Sequence, residues 1–391
     1  MNQFVYYAPT KVYFGKGQES HVAEYIKQYG GTKVLLHYGG HSAERSGLLD
    51  RIKNLLEEAG LAYVCLGGVV ANPVLSKVEE GIALCKKGGV DFILAIGGGS
   101  VIDSAKAIGY GVVNEGNLWD YYEKKRTVTG CLPIGCVLTI AAAGSEMSNS
   151  SVITNENGQL KRGLTNDYGR CRFAIMNPEL TYTLPPYQSM SGAVDIMMHT
   201  LERFFVSEEP MEIYDHFALG VLKTVVHHAP IVLKEPMNYE SRSELMWASS
   251  CSHNGMSGPR EIGDWACHQL EHELSGKYGV AHGAGLSAVW GSWARYVYEA
   301  DVKRFAKLAR ELFDMKEEDD DHVCALKGIE AMEAFFTSIQ MPISLHELGL
   351  EVSDEDIREL AHKCSYFGKR TIGCVKKLDE KDMRNIYKNA K

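Results

Sequence analysis

The chain has 391 residues, 45% of them hydrophobic and 23% charged, with a net charge of −9. This is the composition of a soluble globular protein with room for two domains. The acidic balance excludes a basic nucleic-acid surface. No apolar run reaches the ~18 residues of a membrane span. Residues 1–7 lack the basic and apolar regions of a secretory signal. The ten cysteines contain no C-x-x-C pair and scatter through apolar runs. They read as buried, reduced thiols of a cytoplasmic protein.

Residues 1–184 alternate strand and helix patterns. The predicted strands are 33–38, 62–66, 92–96 and 132–138, with helical spacing at 48–56 and 78–87 between them. This order predicts an α/β domain with a parallel sheet covered on both faces, its loops gathered along one edge. Residues 151–173 read as a hairpin around the turn Asn155-Glu156-Asn157-Gly158. Leu184-Pro185-Pro186 marks a boundary, and 185–391 is predicted to be all-helical. Helical runs fall at 187–206, 212–231, 241–251, 301–312, 323–339, 354–363 and 380–389. The acidic run 316–321 is predicted to be a solvated loop.

Two glycine clusters follow predicted strands. Gly97-Gly98-Gly99-Ser100 leads into an amphipathic helix, with Ser100 at the predicted cap. Glycines there admit a phosphate to the backbone, and the helix N-terminus favours its charge. The spacing is neither G-x-G-x-x-G nor a P-loop. The second cluster, Gly39-Gly40-His41-Ser42, carries no carboxylate for a ribose 2′-hydroxyl. Its small polar residues leave room for a 2′-phosphate, which favours NADP(H) over NAD(H).

Asp195 and His199 stand four residues apart in a helical run, offset by about 40° on one face. They could therefore share one divalent metal. Three histidines lie further on, at 268, 272 and 282. On one straight helix His268 and His282 would be about 21 Å apart. A chain reversal at Gly276 and Gly279 would bring them together. Any two of the three could complete a four-ligand set, which without thiolate suits Fe²⁺ or Zn²⁺. Cys267 is read as core, and His227, His228 and His253 as structural. Trp265, Trp290, Trp293 and Phe204 are candidates to line an apolar pocket.

Together these stretches resemble the iron-containing (group III) alcohol dehydrogenase family over essentially the whole chain. The resemblance rests on Phe14-Gly15-Lys16-Gly17, GGGSVIDSAK at 97–106, GSEM at 144–147, ITN at 153–155 and NPEL at 177–180. It continues through D-x3-H at 195–199 and H-x3-H with a later H-G at 268–283. Tyr38-Gly39-Gly40, Asp264-Trp265-Ala266 and His272-Glu273-Leu274 are most similar to its butanol dehydrogenase-like, aldehyde-reducing branch. The resemblance implies metal ligands Asp195, His199, His268 and His282, which leaves His272 near the substrate, where it is the candidate proton relay. It implies a pyrophosphate on Gly97, Gly98, Gly99 and Ser100 with Asp103 nearby, and a cofactor contact from Lys161; Gly39, Gly40 and Ser42 of the first loop and Thr139 after the fourth strand are further candidate cofactor contacts. It also implies a homodimer through an edge strand near Val12-Tyr13-Phe14. The family usually reads T-x-P-A-T-G-S-E where this chain has Ala141 and Ala143 for the Pro and second Thr.

The expected reaction is reversible hydride transfer between a nicotinamide and a small alcohol or aldehyde, at a site between the two domains. A dehydroquinate-synthase-like lyase on the same architecture is the rival enzyme class. It would need Arg or Lys near the ligand helices, and the sequence predicts no such cluster. A non-catalytic nucleotide- or metal-binding protein is the rival outside enzymes.

Overall fold

The computed structural model describes residues 3–207, 209–316 and 320–391. Residues 317–319 of the acidic run lie outside the described residues. The chain divides into two compact units, one of Ala8–Leu184 and the other of Pro185–Lys391 with the N-terminal residues up to Tyr7. The first residues were expected with the α/β part. They group with the helices because Phe4 packs edge-on against Tyr214, ring centroids 5.6 Å apart.

The α/β unit runs β1 (Lys11–Phe14), α1 (Val22–Gln28), β2 (Lys33–Tyr38), α2 (Ser42–Arg45), α3 (Leu48–Glu58) and β3 (Ala62–Leu66). It continues with α4 (Leu75–Gly88), β4 (Phe92–Gly97), α5 (Gly99–Val113), α6 (Trp119–Tyr122) and β5 (Ile134–Leu138). The hairpin β6 (Ser150–Asn155) and β7 (Leu160–Thr165) precedes β8 (Phe173–Met176). Among the described residues six strands form one parallel sheet in the order β1-β8-β5-β4-β2-β3. Every residue of β4 and β5 is buried, as strands covered on both faces must be. The edge strands β1 and β3 keep exposed positions. On one face, Leu48, Ile52 and Leu56 of α3 meet Val34, Leu36, Phe92 and Phe173 of the sheet.

The strand order places a switch point between β2 and β4. The chain leaves β2 outward to β3, then returns on β2's other side as β4 and proceeds to β5. In such sheets ligands bind beyond the carboxyl ends of the strands that flank the reversal. Those ends carry the two glycine clusters.

The helical unit comprises α7 (Pro186–Phe204), α8 (Glu212–Lys234), α9 (Tyr239–His253), α10 (Ala266–Tyr278) and α11 (His282–Val297). It ends with α12 (Val302–Phe313), α13 (Asp321–Ser338), α14 (Asp354–Cys364) and α15 (Glu380–Asn389). Helix α8 is long and apolar enough in composition to cross a membrane. Its buried residues Ala218, Leu222, Val225, Ala229 and Val232 recur at helical spacing, which is the stripe of a core-facing helix. The cysteines are all free, and most are buried as predicted. Cys65, on edge strand β3, is exposed instead.

One buried polar group ties the sheet to its helices. His37 on β2 is fully buried; its Nδ1 donates to Leu66 O at 2.9 Å, so Nε2 accepts from Ser104 Oγ at 2.8 Å. Burial lowers its pKa from 6.5 to about 4. The unfolded chain therefore binds the extra proton between these values and the native state does not. The stability is whole above pH 6.5 and falls as pH drops towards 4, by roughly 3 kcal/mol in all. In urea unfolding, the advantage of the native protein over His37→Gln should shrink by that amount across this window. A difference that stays constant with pH would contradict it.

Candidate functional site

The α7 sequence places Asp195 and His199 one turn apart, and both are buried. His199 Nδ1 donates to the Asp195 backbone oxygen at 3.0 Å and lies 3.0 Å from Asp195 Oδ1. The same Oδ1 stands 3.9 Å from His268 Nε2 and 3.8 Å from His282 Nε2. Donors on one small cation are separated by distances of this order. Asp195, His268 and His282 each offer an atom within 4.8 Å of the others. His199 stands beside that set, its ring 4.4 Å from the His268 ring.

The reversal that joins His268 to His282 occurs at Gly279, whose φ of +67° caps α10 in the left-handed region. Gly276, also predicted to break the chain, lies inside α10. Three residues after Gly279, His282 opens α11, and its ring sits 5.2 Å from that of His268. Asp264 holds the start of α10. It accepts from Ala266 N at 2.9 Å, Cys374 N at 2.7 Å and Val375 N at 2.9 Å.

The donor set fits a divalent ion. His268 is 4% exposed, and its Nε2 has no hydrogen-bond partner among the described residues. Burial, then the surrounding imidazoles, hold its pKa well below the usual value, so it stays in the neutral, ligating form. Two carboxylates that the sequence reading passed over stand behind the rings. Glu202 Oε2 lies 2.5 Å from His268 Nδ1, and Glu271 Oε2 touches His282 Nδ1. Their signal was present as Glu three residues after His199 and three after His268. Burial pushes the Glu202 carboxyl well up.

His272 is half-buried, with its ring 5.7 Å from His282 and 6.4 Å from His268. A second possible donor group is Glu271, His272 and His282. His253, read as structural, packs its ring 4.2 Å from His199. The end of α9 delivers it, and no spacing within one segment could reveal that. Of the four aromatics suggested for a pocket, only Trp265 borders the imidazoles, 5.4 Å from His268. Trp290, Trp293 and Phe204 are core. Contrary to expectation, arginines do lie beside the ligand helices: Arg203 and Arg260 stand 4.8 and 5.3 Å from the Trp265 ring. Arg203 is buried and Arg260 half-buried, and desolvation lowers the pKa of each, that of Arg203 to about 9.

In the α/β unit, α5 begins at Gly99 with Gly98 as its cap, so Ser100 is the helix's second residue and not the predicted cap. No side chain caps this end, which leaves its N–H groups directed at whatever lies beyond β4. A methyl on Gly98 would fall 2.0 Å from Ile140 Cγ2, so only glycine fits. Thr139 N donates to Gly97 O at 3.1 Å, holding the β5 loop beside the turn. Asp103 accepts from Ser145 Oγ at 2.5 Å and from Val152 N at 2.9 Å. Lys106, fully buried, donates to the carbonyls of Ser145, Ser148 and Ser150 at 2.7–3.0 Å. Lys161 Nζ donates to Asn72 Oδ1 at 2.8 Å. After β2, Gly39 and Gly40 lead to exposed His41 and Ser42, and His41 Nδ1 meets Glu44 Oε2 at 3.0 Å. The loop itself carries no carboxylate, but Glu44 on the first turn of α2 stands against it.

Residues 9–178 match the family described as "Iron-containing alcohol dehydrogenase", and 189–391 match "Fe-containing alcohol dehydrogenase family, C-terminal". The chain is 40% identical over 390 residues to "Probable NADH-dependent butanol dehydrogenase 2" of Bacillus subtilis, covering 99% of each. It is 33% identical over 398 residues to the NADPH-dependent aldehyde reductase of Escherichia coli, covering 100% of each. It superposes with TM-score 0.95 on the crystal structure of NADH-dependent butanol dehydrogenase A from Thermotoga maritima, at 36% identity, covering 100% of this chain and 99% of that one. The chain thus belongs to the iron-containing alcohol dehydrogenase family and is a metal-dependent, nicotinamide-linked oxidoreductase acting on alcohols and aldehydes.

Proposed function

We propose that Asp195, His199, His268 and His282 hold one Fe²⁺ or Zn²⁺ ion, and that the substrates are small primary alcohols and their aldehydes, of the size of butanol. The observation that carries this reading is the approach of His268 Nε2 and His282 Nε2 to Asp195 Oδ1, at 3.9 and 3.8 Å, with the His199 ring beside them, 4.4 Å from that of His268. When bound, the ion acts as a Lewis acid towards a carbonyl or alcohol oxygen. The protein's part is position. Trp265 stands beside the imidazole cluster, its ring 5.4 Å from that of His268. His272 is the candidate for moving the substrate proton, since it borders the cluster and is half-exposed.

For the cofactor, Gly97, Gly98, Gly99 and Ser100 at the α5 N-terminus suit a pyrophosphate. Gly39, Gly40 and Ser42 suit the adenosine ribose across the switch point. Thr139 and Lys161 border the same sheet edge, and Asp103 braces the loop from behind. The small residues of 39–42 favour NADP(H). Against them stands Glu44, paired with His41, since a carboxylate against this loop accepts from a ribose 2′-hydroxyl and repels a 2′-phosphate. The names of the Bacillus and Thermotoga relatives also point to NADH. We therefore take NAD(H) as the preferred cofactor. Edge strand β1 supports a homodimer formed along the open side of the sheet.

Protein loaded with Fe²⁺ or Zn²⁺ should oxidise NADH in the presence of butanal, followed by absorbance. Failure with both metals and both nicotinamides across a series of aldehydes would overturn the substrate assignment. Glu44→Gln should move the ratio of kcat/KM for NADPH over NADH upward by about tenfold, the worth of one charged contact. An unchanged ratio would remove Glu44 from cofactor choice. His272→Asn should lower kcat by about 10²-fold while metal content stays whole. A parallel loss of metal would make His272 a ligand and not a relay.

A further inference from the structure

Each of the three imidazoles has an oxygen against its Nδ1. For His199 it is the Asp195 backbone oxygen at 3.0 Å. For His268, Glu202 Oε2 stands 2.5 Å away, in ion-pair contact but off the line of a ring N–H hydrogen bond, and for His282 Glu271 Oε2 is hydrogen-bonded to it. An acceptor on Nδ1 keeps the proton there and leaves the lone pair on Nε2. The Nε2 atoms of His268 and His282 are the ones directed at Asp195 Oδ1.

The two carboxylates are costly placements. Glu202 is 3% exposed and Glu271 is 0% exposed. Deep burial of a carboxylate is retained only where its charge or its fixed geometry is used. Both are also anchored. Glu202 Oε1 accepts from the His268 backbone N–H at 2.9 Å, and Glu271 accepts from Ser275 Oγ. The links run from α7 to α10 and from α10 to α11, so each bridges the helix of one imidazole to its neighbour.

We propose that Glu202 and Glu271 are positioning residues, which fix the Nδ1–H tautomer and ring angle of His268 and His282 and strengthen Nε2 as a donor to a divalent cation. This rests on the ligand reading of Asp195, His199, His268 and His282. His199 needs no such partner because the Asp195 backbone carbonyl does the same work within one helical turn.

The test measures Zn²⁺ affinity by competition with a chromophoric chelator, on protein stripped and reloaded. Circular dichroism checks the fold of each variant. Glu202→Gln and Glu271→Gln should each weaken binding about 10–100-fold. The matching Ala variants should weaken it further, since the Gln amide oxygen still accepts from Nδ1–H. Gln variants that stay within about threefold of the native protein, while His268→Ala loses Zn²⁺, would leave the ligands standing and overturn the positioning role. His268→Ala with native affinity would overturn the ligand reading and the positioning role with it. A measurement on the unaltered Zn²⁺ protein guards against variants that fail to fold. The ¹⁵N shifts of labelled histidines should show His268 and His282 protonated at Nδ1 and ligated at Nε2, and the reverse pattern would overturn the proposal.

Discussion

Asp195 Oδ1 is the point on which the core of the helical unit depends. It is a carboxylate oxygen placed where water scarcely reaches, and leaving such a group without compensation costs several kcal/mol. Three imidazoles from α7, α10 and α11 stand around it, those of His268 and His282 with Nε2 towards it and a glutamate oxygen against Nδ1. A ring of donors around one buried anion suits a cation, and the surrounding helices have to meet at fixed angles to form it. Asp264 fixes where α10 starts, and Gly279 fixes where it turns. Neither residue belongs to the donor set, yet the set depends on both.

The α/β unit solves a separate problem, the close approach of a charged ligand to the backbone. Gly98 can sit against Ile140 only because it lacks a side chain. Lys106 and Asp103, one turn apart on α5, lash the loop at 145–152 to the helix from the buried side. The motif lysine is thereby a structural cation: its charge is consumed by three carbonyls and is not presented to a ligand. The strand order adds the crevice, because the chain reverses between the two strands whose ends carry glycine.

Much of this was legible along the chain. Strand β2 falls where its apolar run placed it, because a strand buried in a parallel sheet leaves an unbroken apolar signature, and β3 falls at its predicted residues as a partly exposed edge strand. Strand β5 begins two residues late, since Pro133 has no N–H for the ladder and contributes only its carbonyl, to Ile93 N at 3.0 Å. The i,i+4 pair on α7 was legible because a helix converts spacing into direction. His253 was not, because its neighbour His199 comes from another helix. Glu44 escaped notice for a related reason: it lies just past the loop and is folded back onto it by one turn of α2.

By itself, then, the sequence determined the fold class, the family and which residue types could serve as donors. Those follow from periodicity, from glycine at turns and from motifs that survive as strings. The tertiary structure alone decided which distant residues stand together. It brought His268 and His282 within ring contact, set Glu202 and Glu271 behind them, and turned three of four candidate aromatics into core. The physical reason is that contacts between helices depend on where each helix ends and at what angle the next begins. Single residues such as Asp264 and Gly279 set those quantities, and no local pattern reports them.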